Sequence, residues 1–128
     1  MAAETAVRVL RNLQPEDLRV LTGIELAMER HEFAPFEEVA RYANLSGREV
    51  VFRLDRLDRL QLTIKIPKTF LGYDGYALNY SGYDCLALNA LVKSNVLEAI
   101  GKPLGVGKES DVYEALSPKR ERIVVKFH

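Results

Sequence analysis

The segment SGREVVFRLDRLDRLQLTIKIP, residues 46–67, places a helical pattern directly before a strand pattern. Ser46 and Glu49 have the spacing of a capping box, in which the serine hydroxyl accepts a hydrogen bond from the N–H of residue 49 and the glutamate reaches back. The apolar residues that recur with the helical period, and are expected to face inward, are Val50, Val51, Leu54, Leu57 and Leu60. Residues 62–67 then alternate between apolar and polar, as a half-buried strand does. The segment therefore predicts a helix that leads straight into a strand.

Two further helices are predicted upstream of this segment. Pro15 suits the first turn of a helix, and Glu16 and Asp17 follow where the helix dipole favours acids. An apolar stripe then continues to about Arg30 and consists of Val20, Leu21, Ile24, Ala27 and Met28. Pro35 opens a second, shorter helix over residues 36–42.

Downstream, residues 76–80 form a second alternating run after a turn that contains Gly72, Asp74 and Gly75. Ser81 and Asp84 have the spacing of a second capping box, which predicts a fourth helix through about Lys93. Three helices followed by a hairpin is the order of a winged helix-turn-helix. We therefore expect an α+β fold, with a winged-helix domain in residues 1–94 and a second unit in residues 95–128.

The third helix and the hairpin carry the basic side chains of a candidate nucleic-acid or partner-binding face. These residues are Arg48, Arg53, Arg56, Arg59, Lys65 and Lys68. They could contact phosphates. Against this, Asp55 and Asp58 lie among the arginines, and that helix has no Asn or Gln to read adenine. Specific DNA readout, non-specific nucleic-acid contact and a protein-binding or solvated face all remain open.

Composition sets the broad class of the chain. With 48% hydrophobic and 28% charged residues and a net charge of zero over 128 residues, it resembles an ordinary soluble protein. The charges are uneven, since residues 41–68 hold seven Lys and Arg against three Asp and Glu. We expect neither a membrane partner nor a secretory signal, because no apolar run approaches the required length. The lone cysteine, Cys85, fits a reducing cytoplasm and is expected in the core, and no metal site is expected.

A glycine-rich stretch, GVGKESDVYEALSPKRERIVVKFH, fills residues 105–128. A Walker A loop is excluded because Lys102 stands where its first glycine is needed, and a Rossmann fingerprint because Ser110 replaces the last one. The protein-kinase loop, G-x-G-x-x-G-x-V on a strand–turn–strand, matches at three of its four fixed positions. Val112 would pack on the base, and Lys126 lies on the following strand. A plain hairpin with a solvent-exposed lysine is the alternative.

The stretches GVGKESDVY and VVKFH, behind a winged helix, closely resemble the atypical serine/threonine kinases of the Rio type, in their second subfamily. The stretches LRVLTGIELAMERHEFAP and LNYSGYDCLALNAL resemble the same subfamily, so the likeness covers about residues 13–128. A serine at position 110 is expected in that subfamily. The resemblance implies that residues 95–128 open a kinase N-lobe.

The resemblance also implies a set of ATP-binding residues. Those of the loop and its strands are Gly105, Val106, Gly107, Lys108, Glu109, Ser110 and Val112. Lys126 would anchor the phosphates. Family membership implies ATP and Mg²⁺ as cofactors, a protein substrate or autophosphorylation, and a cytoplasmic role in maturing the small ribosomal subunit. The winged helix would dock on its RNA or protein.

Two interpretations of the whole chain follow. In the first, it is the N-terminal part of a Rio-type kinase. The catalytic and metal-binding Asp residues would then lie after His128, and the 128 residues alone would be inactive. In the second, it is a stand-alone winged-helix regulator that binds nucleic acid.

Overall fold

The computed structural model describes residues 2–106 and 110–128. Six helices and six strands follow one another in the described chain, with a single 3₁₀ turn at Leu10–Asn12. The helices are α1 (Ala2–Val9), α2 (Pro15–Ala27), α3 (Phe36–Ala43), α4 (Gly47–Arg59), α5 (Lys68–Leu71) and α6 (Tyr80–Lys93). The strands are β1 (Ala34–Pro35), β2 (Thr63–Ile66), β3 (Gly75–Leu78), β4 (Ala99–Val106), β5 (Asp111–Leu116) and β6 (Arg122–Phe127). The predicted α+β class is confirmed.

Residues 15–78 have the predicted order of three helices and a hairpin. Strands β2 and β3 pair antiparallel from Thr63↔Leu78 to Ile66↔Gly75, and β1 joins the other edge of β3. Helices α2, α3 and α4 enclose a core whose fully buried members include Val20, Leu21, Ile24, Val39, Val50 and Leu57. Burying such side chains contributes about 1.5–3 kcal/mol each, which is the main source of stability here. The hairpin is the wing, and α5 lies at its tip.

Three local predictions are wrong. Val51 is 49% exposed and not in the core, because it lies on the side of α4 that faces the wing. Helix α6 is capped by Asn79, whose side-chain oxygen accepts from the Gly82 N–H at 2.8 Å, so Ser81 lies inside the helix. Ser46 does cap α4, but the Glu49 carboxylate accepts hydrogen bonds from Arg53. The sequence pattern also gives no signal for α1, β1 or α5.

Residues 99–127 form a second antiparallel sheet with the strand order β4-β5-β6. Its inner face is buried on the helices, with Tyr113 and Ala115 only 4% and 2% exposed. The Tyr113 and Phe127 rings pack edge to face, with their centroids 5.6 Å apart. Ala115 belongs to the same apolar cluster as the winged-helix core, so the winged helix and the second sheet share one core. In the described residues, no helix is long and apolar enough to cross a bilayer.

Candidate functional site

The outer face of the second sheet brings several predicted ATP-binding residues together. Gly105 pairs with Val112 across β4 and β5, and Val112 pairs with Lys126 across β5 and β6. Side chains that are opposite each other in a sheet point to the same face. Val112 is half-buried and Lys126 is exposed. The valine, the lysine and the glycine therefore form one continuous row across three strands.

The glycine-rich loop itself is only partly described. Gly107, Lys108 and Glu109 lie outside the described residues, and so does the side chain of Val106. Gly105 is exposed, and a Cβ added there would meet no described heavy atom within 4 Å. Ser110 is half-buried directly before β5. The predicted roles of these loop residues stay predictions.

A groove of about 330 Å³ lies beside this row on the same sheet. It is lined by Leu104, Glu114, Arg122, Ile123 and Val124. Leu104 and Val124 are each 61% exposed, and Arg122 and Glu114 form an ion pair at 2.9 Å. Two exposed apolar side chains beside a lysine suit a flat base with phosphates attached. Neither Leu104 nor Val124 was predicted from the sequence, although the alternation in IVVKF would have placed Val124 with Lys126.

Two carboxyl groups, those of Asp111 and Asp84, interact near the start of β5. Asp111 is 6% exposed, and its Oδ1 has no hydrogen-bond partner among the described residues. Burial raises the pKa of Asp84 on α6, and the charge of Asp111 raises it further. Burial and Asp111 also raise the pKa of Tyr113. The start of β5 therefore has a negative potential that the sequence pattern does not reveal.

The arginines of α4 do not form one exposed row. Arg53 is 8% exposed, and its Nη1 donates to Asp17 at 3.3 Å and to Gln14, while Nη2 donates to Glu49 at 3.0 Å. Arg56 donates from Nε to the other Asp17 oxygen at 3.1 Å. Asp17 is fully buried, so both guanidinium groups neutralise it. The expectation that Arg53 and Arg56 display their charge outward is corrected, because helix α2 supplies a buried carboxylate opposite them.

The other four predicted cations, Arg48, Arg59, Lys65 and Lys68, are all exposed. Arg48 and Arg59 lie near opposite ends of α4, while Lys65 and Lys68 lie on the wing. Phe52 on α4 and Phe70 at the tip of the wing are also exposed, at 53% and 81%. This surface therefore mixes cations with apolar groups.

A cavity of about 260 Å³ lies between α4 and the wing. We call it the α4–wing cavity, and its lining includes Phe36, Val51, Asp55, Lys65, Asp74 and Tyr76. Asp74 also fixes the tip of the wing, where its Oδ1 accepts from the Lys68 N–H at 3.1 Å. The lining of the cavity therefore combines apolar side chains with two carboxylates and one ammonium group.

Cys85 behaves as the core residue that was expected. It is fully buried, and its thiol lies 3.9 Å from the Ala6 carbonyl oxygen. Burial raises the pKa of this thiol to about 12, so it stays protonated at neutral pH. No cluster of metal-ligating side chains lies in residues 2–106 and 110–128.

Comparison with known proteins places the chain among kinase sequences. The family profile described as "Rio2, N-terminal" matches residues 10–94. The serine/threonine-protein kinase rio2 of Schizosaccharomyces pombe is 37% identical over 122 residues, which are 95% of this chain and 35% of that protein. The RIO-type serine/threonine-protein kinase Rio2 of Methanocaldococcus jannaschii is 43% identical over 101 residues, 79% of this chain and 35% of its own length. The chain thus spans about a third of the length of these two relatives.

Solved structures agree on the fold. A Rio2 kinase from Chaetomium thermophilum, in a complex with ADP/Mg²⁺ and phosphoaspartate, matches with a TM-score of 0.86 and 32% identity. The match covers 95% of this chain and 36% of that one. The Staphylococcus aureus transcription regulator MepR matches at a TM-score of 0.57 and 15% identity over 73% of this chain and 68% of that one, which shows the fold alone. The predicted winged helix followed by the start of a kinase lobe is thereby confirmed.

Proposed function

Because the chain belongs to the Rio2 family, we propose that it is the N-terminal part of a serine/threonine kinase that binds ATP with Mg²⁺ on the outer face of its second sheet. The observation that carries the proposal is the row formed by Gly105, Val112 and Lys126 across β4, β5 and β6. The structure of a family member with ADP and Mg²⁺ supports the choice of ligand.

The described residues fit the two ends of a nucleotide. Leu104, Val112 and Val124 offer an apolar face for the base, and two of the three are exposed by more than half. The Lys126 ammonium can pair with phosphate oxygens, as the lysine of the third kinase strand does. The glycine-rich loop would close over the triphosphate with the backbone N–H groups of residues 105–110. We assign neither Mg²⁺ ligands nor a catalytic carboxylate to this chain, so phosphoryl transfer is proposed for the longer protein.

The test is equilibrium binding of Mg·ATP to the 128-residue chain and its variants. Replacing Lys126→Ala removes a charge-assisted contact and should weaken binding by about ten- to a hundredfold. The matched control is Lys119→Ala in the exposed β5–β6 turn, which should bind like the parent. Equal affinities for both variants would contradict the assignment of Lys126.

For the winged helix we propose a docking role, in line with the family resemblance, on RNA or protein of the maturing small ribosomal subunit in the cytoplasm. Exposed Arg48, Arg59 and Lys68 support contact with phosphates at the edges of this surface, whereas Lys65 lines the α4–wing cavity. If they bind RNA, the variant Arg48→Ala/Arg59→Ala should lower both the affinity and its dependence on salt. An unchanged salt slope would remove these two residues from the interface.

The stand-alone regulator is the less favoured interpretation. Its support is a fold shared with MepR at 15% identity. The kinase interpretation has matches above 30% identity over 95% of the chain, whereas the regulator matches 73% of the chain at 15% identity.

A further inference from the structure

The α4–wing cavity has a chemistry that differs from the basic face expected of a nucleic-acid-binding winged helix. Val51, one of its lining residues, is 49% exposed. Asp55 from α4 and Asp74 from the wing bring two carboxylates, against the single ammonium of Lys65. Its lining therefore carries a net negative charge, in the middle of the surface that would meet a partner.

Tyr76 reports on the potential in this cavity. Burial raises the pKa of its phenol, and the charges of Asp74 and Asp55 raise it further. A neighbouring negative charge disfavours an anion, so both carboxylates act on a group that lines the cavity. A phosphate placed there would meet the same repulsion, whereas a guanidinium or ammonium group would be attracted.

The exposed arginines of α4 do not offset the negative charge of the cavity, because they lie away from the centre of the helix. Arg48 and Arg59 are eleven residues apart, about 16 Å at the rise of an α-helix. Exposed Phe52, Asp55 and Asp58 lie between them. A phosphate backbone would therefore find cations at the ends of α4 and carboxylates in between.

Phe52 is presented in a defined position on the same face. Its ring lies 5.1 Å from the Arg53 guanidinium carbon, and that guanidinium is itself held by Asp17 and Glu49. An exposed aromatic side chain held in one position is typical of protein interfaces, in which aromatic residues are enriched.

We propose that the α4–wing cavity binds a protein segment that inserts an arginine or lysine side chain between Asp55 and Asp74 and lays apolar neighbours against Val51 and Phe52. The proposal rests on the docking role of the winged helix and is independent of the ATP site. Charge complementarity selects this occupant over RNA, which remains an outcome of the test.

The probes are two acetylated, amidated tripeptides, Leu-Arg-Leu and Leu-Glu-Leu, and a ten-nucleotide oligouridylate, titrated into the 128-residue chain. Methyl NMR signals of Val51 and of Leu54, which also lines the cavity, report on its occupancy. We expect saturable shifts with Leu-Arg-Leu and none with the other two probes. The variant Asp55→Asn/Asp74→Asn should bind Leu-Arg-Leu about tenfold more weakly. The side-chain oxygen of the asparagine introduced at position 74 can still accept from the Lys68 N–H, so the wing should stay folded.

The matched control is Asp58→Asn, which removes an exposed carboxylate of α4 that does not line the cavity. It should bind Leu-Arg-Leu like the parent. Equal shifts with the two tripeptides, or an equal loss in the control variant, would overturn the proposal. Oligouridylate shifts at Val51 would assign the cavity to nucleic acid. Oligouridylate shifts confined to the backbone amide signals of Arg48 and Arg59, without any tripeptide binding, would overturn the cavity proposal and leave the docking role standing.

Discussion

The winged helix and the second sheet bury their apolar residues in different ways. In the winged helix, α2, α3 and α4 surround their shared core, and even the charged Asp17 is enclosed and paired. The second sheet buries one face on the helices and leaves Leu104 and Val124 exposed on the other. Substitutions in the enclosed core of the winged helix should therefore affect stability, whereas substitutions on the outer face of the second sheet should affect ligand binding.

The largest loss of stability is expected when Asp17 is replaced. Replacing Asp17→Ala removes the fully buried carboxylate that pairs with both Arg53 and Arg56, which should lower the free energy of unfolding by about 3–5 kcal/mol. Urea denaturation measures it. The control is Glu38→Ala, which breaks an exposed ion pair with Arg41 and should have little effect on stability because solvent screens that pair. Similar losses for both variants would break the contrast between the buried and exposed pairs.

A smaller loss is expected at Gly82, where α6 passes close to the wing. A Cβ at this position would collide with the Leu62 carbonyl oxygen, which is backbone and cannot move aside freely. Gly82→Ala should therefore cost about 1–3 kcal/mol in chemical denaturation. Gly47→Ala is the control, because an added Cβ there meets nothing within 4 Å in the described part of the chain. A neutral Gly82 variant would show that the helix shifts without cost.

The cap of α6 should contribute about 1 kcal/mol. Asn79→Ala removes the side-chain oxygen that accepts from the Gly82 N–H, so the thermal midpoint should fall accordingly. Ser81→Ala tests the cap predicted from sequence and should have a smaller effect. The reverse order would restore Ser81 as the cap.

The smallest effect on stability is expected on the outer face of the second sheet. Val124 is 61% exposed, so Val124→Ala should change the free energy of unfolding by no more than about 0.5 kcal/mol. Val50→Ala, in the buried core of the winged helix, should cost clearly more. If Val124→Ala destabilises the chain as strongly as Val50→Ala, the outer face is part of the core and the comparison fails.

The sequence predicted the elements whose signals are local. Pro15, the Ser46 cap and the alternation of residues 62–67 and 76–80 indicated helices and strands close to their observed bounds. The single turn of α5 was missed because one turn has no periodic pattern. Ser81 was predicted as the cap because Asp84 follows it at capping-box spacing, whereas the observed cap is Asn79, directly after β3.

The candidate site could be predicted from the sequence only in part, because some of its contacts join residues that lie far apart in the chain. The glycines and Lys126 form a motif with fixed spacing, so they could be recognised along the chain. The engagement of Arg53 and Arg56 with Asp17 depends on contacts between residues 36 and 39 positions apart, which no pattern on α4 reveals. The α4–wing cavity likewise joins Asp55 to Asp74 through the tertiary fold.

The most direct test of the nucleotide site is to map the amide and methyl NMR signals of the chain that respond to Mg·ATP. We predict shifts at Gly105, Val112, Val124 and Lys126, with smaller ones on the inner face at Tyr113 and Ala115 and none in the α4–wing cavity. They should disappear at the same nucleotide concentration in Lys126→Ala. Shifts confined to α4 and the wing, or no shifts at any Mg·ATP concentration that saturates the full-length kinase, would contradict the assignment of the outer face as the nucleotide site.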